Sequence, residues 1–207
     1  MRTINYLSAA LLFVSGAGFA QTAATPKSET KTGTETKATA TRTSTKAVKE
    51  QFFIDKYYEI KSTYPSLNVC YGTYAASSHN MKRYMERYNE IKAAYPKLAE
   101  VWGNYAGSEY LLEKFAERYY EIKNVYPDMA KYYGSYAASK NTLTEYIKRY
   151  NQIKDSAPDL AEYYGQYAAS TCTLEEFSAR YYGVKASNTG MKDCFGEYAG
   201  SDKKLAK

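Results

Sequence analysis

The sequence has few of the residues that most often carry enzyme chemistry. Its 207 residues include one histidine, His79, and three cysteines. It contains no cluster of residues at metal-ligand spacing, no nucleophile beside a base and no glycine-rich phosphate loop. The acidic pair Glu175-Glu176 is adjacent on a predicted helix, so its carboxylates face different ways. We therefore predict a protein that is not an enzyme and binds no metal or cofactor.

Long hydrophobic runs are missing after the N-terminus. The chain opens with Arg2, a short apolar run over residues 7–14 and small residues before Gln21. This pattern is typical of a secretory signal peptide, and the run is too short for a membrane anchor. We predict a signal peptide over residues 1–20 and a secreted or periplasmic protein without membrane insertion.

Residues 21–47 contain no aromatic residue and consist largely of Thr, Ala, Lys and Glu. Such a segment cannot bury enough apolar surface to offset the entropy lost on ordering, so we predict a disordered spacer.

The net charge of +6 comes from the N-terminal and C-terminal segments, because residues 51–201 are neutral overall. Residues 51–201 contain 18 Lys and Arg and 18 Asp and Glu, whereas Arg2, the spacer and a predicted basic tail over residues 202–207 carry the excess. A nucleic-acid-binding protein concentrates positive charge on its folded surface. We therefore predict no nucleic-acid partner.

The dominant pattern is a period of 31 residues. Each of three columns has one member per period: Ile60, Ile91, Ile122, Ile153 and Val184; Tyr57, Tyr88, Tyr119, Tyr150 and Tyr181; Gly72, Gly103, Gly134, Gly165 and Gly196. A fixed period of this length is the signature of a repeat array. Because glycine is unfavourable inside a helix, its recurrence indicates close approach of the neighbouring repeat.

Apolar residues at helical spacing predict two helices per period, of about 14 and 12 residues. The first should end before a proline and the second should begin at it. One such hairpin has no enclosed core, whereas stacked hairpins share one. We predict an all-α fold, a short α/α solenoid of five 31-residue helical-hairpin repeats over residues 48–201. In an open array, the first and last repeats would lie at opposite ends.

The stretch LAEYYGQYAASTCTLEEFSARYY, residues 160–182, resembles Sel1 repeats in the order of its Ala, Gly and aromatic positions. The hairpin architecture is similar to tetratricopeptide and Sel1-like arrays. The period of 31 is shorter than in either family, and the spacing from Gly165 to Tyr167 departs from the Sel1 pattern. The resemblance implies the architecture and no family membership.

The 25 tyrosines fall mainly in columns on the predicted apolar helix faces, which favours a hydrogen-bonded tyrosine core. One column alternates between two aromatic types: Phe53, Tyr84, Phe115, Tyr146 and Phe177. The residues five positions after this column also alternate: each phenylalanine is followed by a tyrosine, and each tyrosine by an asparagine. We hypothesise that Asn89 and Asn151 supply the polar neighbour that the hydroxyls of Tyr84 and Tyr146 require.

A basic column resembles an anion-binding ladder: Lys56, Arg87, Arg118, Arg149 and Arg180. Since Glu59, Glu90 and Glu121 follow three residues later, we predict a solvated face of ion pairs instead.

The pairing of Cys70, Cys172 and Cys194 stays open. Cys70 and Cys194 occupy the same column in the first and last repeats, so an open array would separate them. We hypothesise that they link chains end to end.

Variable polar columns on the second helices are the candidates for binding. One is a polar ladder, Thr73, Asn104, Ser135, Gln166 and Glu197, and another contains Tyr132 and Tyr163. Solenoids bind along one continuous face. From these columns we choose five candidate binding residues: Asn104, Tyr132, Ser135, Tyr163 and Gln166.

We expect a non-enzymatic repeat protein that binds a protein or peptide partner along one face. The alternatives are a cell-envelope or matrix module that binds polysaccharide through exposed tyrosines, and a self-assembling structural protein.

Overall fold

The computed structural model describes residues 52–206. The predicted signal peptide and spacer lie outside this range, as do residues 48–51 and 207. Within it the chain is all-helical, without strands. The α-helices are α1 Phe53–Thr63, α2 Tyr71–Ala76, α3 Met81–Ala94, α4 Trp102–Gly107, α5 Leu112–Val125, α6 Tyr133–Ala138, α7 Leu143–Ser156, α8 Tyr164–Ala169, α9 Leu174–Ser187 and α10 Phe195–Gly200.

The odd-numbered helices are long and the even-numbered ones have six residues each. Each long helix packs against the short helix that follows it, which gives five adjacent pairs. Tyr, Phe, Ile and Ala side chains fill the space between them. The prediction of an all-α chain of packed helix pairs is confirmed.

The second helix of each pair is shorter than predicted. A 3₁₀ segment precedes each six-residue helix, for example Pro158–Tyr163 before α8. Within that segment Leu160 departs from helical geometry, with φ −94° and ψ 24°, and its side chain is buried. The prediction of one continuous helix from the proline onward was wrong, because this apolar residue turns into the core and interrupts the helix.

Side-chain N-caps are present on three long helices. The side chains of Asn80, Thr142 and Thr173 accept hydrogen bonds from backbone N–H groups in the first turn. The capping box of Thr173 with Glu176 is complete, whereas at Thr142 only the threonine half forms. Helix α5 differs, because its N-cap Leu111 makes no side-chain cap.

The short helices also contact one another in a closed cycle. Helix α2 packs on α4, α4 on α6, α6 on α8 and α8 on α10, and α10 packs on α2. We call these five helices the inner ring. The expectation that the first and last pairs lie far apart was wrong. The 31-residue period does not encode the angle between successive pairs, and that angle decides whether an array closes.

Ring stacking repeats around the cycle, including the joint between the last and first pairs. The aromatic column from Phe53 to Phe177 packs edge-on against a tyrosine of the preceding short helix at four internal joints, with centroids 5.1–5.4 Å apart. At the closing joint Phe53 packs on Tyr198 at 5.3 Å. The Tyr57 hydroxyl also donates to the Gly190 carbonyl at 3.3 Å.

The glycine column lies where neighbouring short helices meet, as predicted. A Cβ on Gly134 would lie 2.5 Å from Oδ1 of Asn104 in the preceding short helix. A Cβ on Gly72 would lie 2.7 Å from Cβ of Cys194, on the chain that leads into α10. Each glycine therefore makes room for the preceding pair, and for Gly72 that pair is the last one in the chain.

Residues 202–206, predicted as part of a basic tail, take part in the same joint. The backbone N–H of Phe53 donates to the carbonyl of Lys204 at 2.9 Å, and that of Ile54 donates to the carbonyl of Leu205 at 3.0 Å.

The alternating aromatic column has a different partner from the one hypothesised. The Tyr84 hydroxyl hydrogen-bonds the Thr73 hydroxyl at 2.7 Å, and Tyr146 hydrogen-bonds Ser135 at 2.6 Å. Asn89 is exposed, as is Asn151. The hypothesis was wrong because these asparagines face outward, away from the tyrosine hydroxyls.

The basic column is structural, and the prediction of solvated ion pairs was wrong. Arg87 is buried and donates to the carbonyls of Tyr105 and Tyr110 and to the Ser108 hydroxyl, at 2.6–3.2 Å. These carbonyls lie at the C-terminus of α4 and just beyond it, where a cation is favourable. The guanidinium carbon also lies 4.1 Å from the Tyr105 ring centroid. Arg118, Arg149 and Arg180 make equivalent contacts. Lys56 donates to the Ser77 hydroxyl and to the carbonyls of Ser77 and His79.

The glutamates expected to pair with this column bind tyrosines instead. Glu59 accepts from the Tyr74 hydroxyl at 2.5 Å, and Glu90 accepts from Tyr105 at 2.6 Å.

All three cysteines are free, and Cys70 and Cys194 are each 1% exposed. Linkage of folded chains through these two thiols would require the inner ring to open first. Burial also raises the pKa of both thiols, which disfavours the reactive thiolate.

Candidate functional site

The polar ladder lines one small cavity on the axis of the inner ring. The cavity has a volume of about 130 Å³. Its lining includes the five ladder residues Thr73, Asn104, Ser135, Gln166 and Glu197, together with Val69, Lys131, Tyr132 and Glu162. We call it the axial cavity. The structure thus brings together four of the five predicted binding residues, and it does so inside a closed cycle of helices and not along an open face.

Tyr163, the fifth predicted residue, does not line this cavity. Its ring packs on Tyr181 at a centroid distance of 4.9 Å. One ring carbon occupies the space that a Cβ on Gly196 would need. Tyr132 is half-buried; its hydroxyl donates to the Ala161 carbonyl at 3.1 Å, and burial raises its pKa to about 12. Both tyrosines therefore contribute to packing between helix pairs.

The ladder residues differ in how much hydrogen-bonding capacity remains. Thr73 and Ser135 are engaged by the hydroxyls of Tyr84 and Tyr146. Asn104 makes no side-chain hydrogen bond within the described chain, and the aromatic residue at its next joint is Phe115, which has no hydroxyl. Where the next long helix carries a tyrosine in the aromatic column, the ladder residue thus has a short hydroxyl side chain. Where that helix carries a phenylalanine, the ladder residue has an amide or acid side chain.

Glu197 is the one acidic residue of the ladder. Its Oε1 accepts from the Gln166 side-chain amide at 3.1 Å, and its Oε2 is buried without a partner. Burial is the main cause that raises its pKa, and nearby Asp193 adds to the effect. Burial therefore favours the neutral carboxyl form of Glu197.

The inner ring is too narrow for a polypeptide at the level of the ladder. Helices packed about 8–10 Å apart in a five-membered ring have axes about 7–8.5 Å from the centre, which leaves about 4.5–6 Å inside the backbone cylinders. The ladder side chains fill most of that space. A polypeptide partner must therefore bind outside the axial cavity.

A wider concavity opens where the short helices end. It has a volume of about 450 Å³, within the range of about 300–1,000 Å³ typical of ligand pockets. We call it the bowl. The ladder forms its floor. Its wall consists of small residues at equivalent positions, Ala76, Gly107, Ala138, Ala169 and Gly200, and its rim consists of Ser78, Glu109, Lys140, Thr171 and Asp202.

The most irregular part of the bowl is the segment Glu109-Tyr110-Leu111. Tyr110 lines the bowl, and Leu111 follows it at the N-cap of α5 with 71% of its surface exposed. The equivalent residues are Asn80, Thr142 and Thr173, which cap their helices. An apolar residue at an N-cap costs about 1 kcal/mol relative to these types. Leu111 therefore lowers the stability of α5, and it places an exposed apolar side chain next to Tyr110 of the bowl.

Glu109 adds a negative charge beside this leucine. It hydrogen-bonds the Ser78 hydroxyl, and this bond is the main cause that lowers its pKa; His79, Lys140 and Arg87 act in the same direction.

Sequence reasoning missed this segment as a candidate site. The available signal was Leu111 itself, a break in the column of capping residues.

Residues 52–206 contain no group of three or more His, Cys, Asp or Glu placed to hold a metal ion. Over the same range, no helix has the length and apolar character needed to cross a membrane. Comparisons with protein-family models, with curated proteins and with solved structures each find no significant match to this chain.

Proposed function

We propose that this chain is an exported, non-enzymatic protein of five 31-residue helical-hairpin repeats, closed on itself, that binds a protein or peptide partner at the bowl. The signal-peptide pattern of residues 1–20 supports export. The bowl replaces the open solenoid face as the binding surface, because the inner ring encloses the ladder.

The observation that carries this proposal is the exposed Leu111, which follows the half-buried Tyr110 that lines the bowl. Leu111 lies where the helix favours a polar cap, and it is largely solvent-exposed. Exposed apolar side chains beside a concavity are typical of protein-binding sites, in which a few apolar and aromatic anchors supply most of the affinity. Small side chains on the wall of the bowl allow the backbone of a partner to approach closely.

The test uses one substitution that separates stability from binding. Leu111→Asn restores an N-cap, so we expect a more stable protein that has lost its partner. The control is Val125→Asn, which removes an apolar residue that is 56% exposed at the other end of the same helix. The wild type and both variants are immobilised and exposed to an envelope extract of the source cells. We expect one protein to be retained by the wild type and by Val125→Asn but not by Leu111→Asn. Equal retention by all three would contradict the proposed site.

A second candidate function is polysaccharide binding through tyrosines on the long helices. Three tyrosines 62 residues apart are substantially exposed: Tyr58 at 50%, Tyr120 at 41% and Tyr182 at 47%. Each packs edge-on against the tyrosine before it, with centroids 5.1–5.2 Å apart. Fixed, exposed rings of this kind can stack on sugars. Tyr132 and Tyr163, considered for this role from the sequence, are half-buried.

Retention on insoluble cell-wall polysaccharide separates the two candidates. Loss of retention in a Tyr58→Ala, Tyr120→Ala double variant, with Leu111→Asn unaffected, would favour the glycan function. Failure to retain either protein or polysaccharide would favour the third alternative, a self-assembling structural role.

A further inference from the structure

The first long helix begins later than its equivalents. Helices α3, α5, α7 and α9 begin at positions 31 residues apart, Met81, Leu112, Leu143 and Leu174. The equivalent position one period before Met81 is residue 50, whereas α1 begins at Phe53 after an extended Phe52, with φ −86° and ψ 156°. Within the described residues, α1 therefore lacks part of the first turn that the other long helices have.

The C-terminal tail supplies hydrogen-bond acceptors to the start of α1 in the same register as the first turn of the other long helices. In α3 the N–H of Tyr84 donates to the carbonyl of Asn80, four residues earlier. Phe53 is equivalent to Tyr84, and Lys204 lies four periods after Asn80. The hydrogen bond from Phe53 to Lys204 at 2.9 Å thus reproduces the intrahelical bond, and the bond from Ile54 to Leu205 at 3.0 Å continues the pattern. The tail thus takes the place, in these two hydrogen bonds, of the residues that precede the other long helices.

Side-chain contacts follow the same equivalence. Leu205 lies one period after Leu174. It belongs to the column of Met and Leu residues with which α3, α5, α7 and α9 begin, and it packs on the hydrophobic core. Arg180 donates to the carbonyl of Lys203 at 2.8 Å, as Arg149 donates to that of Cys172 at 2.7 Å. The tail therefore makes the contacts that a continuous chain makes at the other joints.

The sequence indicates why the tail occupies this position. By the 31-residue period, Lys49 and Glu50 are equivalent to Lys204 and Leu205. Glutamate is unsuited to a column that packs on the core, whereas leucine fits it. By residue type, Leu205 of the tail therefore suits this position better than Glu50 does.

We propose that the position before α1 is a peptide-docking site, filled in the isolated molecule by the chain's own tail and able to accept the tail of a second copy. The ligand it recognises is a short segment that offers two successive backbone carbonyls to Phe53 and Ile54 and a leucine to the core. Residues 202–206 follow α10 and belong to no helix, so they can leave the site without unfolding another helix. The same contacts form whether or not the tail belongs to the same molecule, which makes an exchanged tail a low-barrier route to association. This proposal does not depend on the function assigned to the bowl.

The test uses the full-length protein and a fluorescent peptide with the sequence of residues 201–207 as the stand-in for a second tail. Leu205→Asp empties the site, so this variant should bind the peptide saturably and gain thermal stability when the peptide is added. The wild type should bind it at least tenfold more weakly, because its own tail competes. The control variant is Ala206→Asp, which changes an exposed neighbour and should behave as the wild type.

A second peptide that carries the L205D change should not bind either variant. The milder Leu205→Ala variant gives the same comparison if Leu205→Asp does not fold. The proposal is overturned if the wild-type peptide neither binds nor stabilises the Leu205 variants, or if it binds the wild type, Ala206→Asp and the Leu205 variants equally well.

Discussion

Replacement of Gly72 by alanine should reveal whether the last helix pair packs on the first. In an open array, α2 would have no neighbour on that side. Alanine would then stabilise the helix by up to about 1 kcal/mol, because glycine is a poor helix former. In the structure, a Cβ at this position lies 2.7 Å from Cβ of Cys194 and 2.9 Å from Cγ of Glu197. The sign of the effect therefore distinguishes the two arrangements.

The expected loss of stability follows from these two distances. The Cys194 Cβ is fixed by its backbone, so relief requires one short helix to move away from the other. Overpacking of this kind costs about 1–3 kcal/mol, and after a gain of about 1 kcal/mol in helix propensity a net loss of up to about 2 kcal/mol remains. For a folded body of about 155 residues this corresponds to a melting temperature lower by up to about 6 °C.

The matched control is Gly183→Ala. Gly183 lies within the long helix α9, and beyond the adjacent backbone of that helix no atom lies within 4 Å of the position its Cβ would take. This variant should be more stable than the wild type by up to about 1 kcal/mol. Urea unfolding followed by far-ultraviolet circular dichroism measures both. Equal stabilisation by the two substitutions would refute the packing of α10 on α2.

Three further predictions address a cap, a hydroxyl pair and a buried amine. Leu111→Asn should raise the free energy of unfolding by about 1 kcal/mol in the same urea assay, because it restores an N-cap. Tyr84→Phe should lower that free energy by about 1 kcal/mol, because the hydrogen bond between the Tyr84 and Thr73 hydroxyls is lost. Asn89→Tyr should leave it unchanged, and a larger loss for Asn89→Tyr than for Tyr84→Phe would contradict the assignment. Burial, with a smaller contribution from Lys203, lowers the pKa of Lys56 to about 7. Stability should therefore rise by about 1.5 kcal/mol between pH 7 and pH 8.5, relative to Lys56→Arg.

The sign of the pH effect follows from the two states of Lys56. The unfolded chain holds the proton up to the ordinary lysine pKa of about 10.4, whereas the folded protein releases it near pH 7. Between these values the unfolded state binds more protons, so unfolding becomes less favourable as the pH rises. Arginine, present at the equivalent positions, stays charged throughout. Parallel pH profiles for the wild type and Lys56→Arg would contradict this.

The long helices and the core columns could be predicted from the sequence because their signals are local. Apolar spacing of three and four residues, together with capping residues such as Thr142 and Thr173, depends on contacts within one turn. The glycine column was equally informative, because a helix interior tolerates glycine only for a reason.

The roles of the basic column and the ladder depend on longer-range geometry. Arg87 has a glutamate three residues away, but its partners are carbonyls 18 and 23 residues away. The partner of Tyr84 lies on the preceding short helix, 11 residues away. A linear pattern does not rank such partners.

Two residues have side chains that suit a closed cycle of helix pairs, although the 31-residue period alone did not predict closure. Gly72 belongs to the first period, where an open array has no earlier neighbour that needs the space. Leu205 lies after the last short helix, yet it continues the column of residues that begin the long helices. Both are explained once the last pair packs on the first.

The most direct test of this account is a nuclear Overhauser effect between the aromatic rings of Phe53 and Tyr198, measured at a concentration where the protein is monomeric. Their centroids lie 5.3 Å apart in an edge-on arrangement, although the residues lie near opposite ends of the described chain. The closed cycle of helix pairs predicts a strong cross-peak, comparable with that between Phe115 and Tyr105. Absence of the first cross-peak beside a clear second one would show an open array and would remove the enclosed ladder and the bowl.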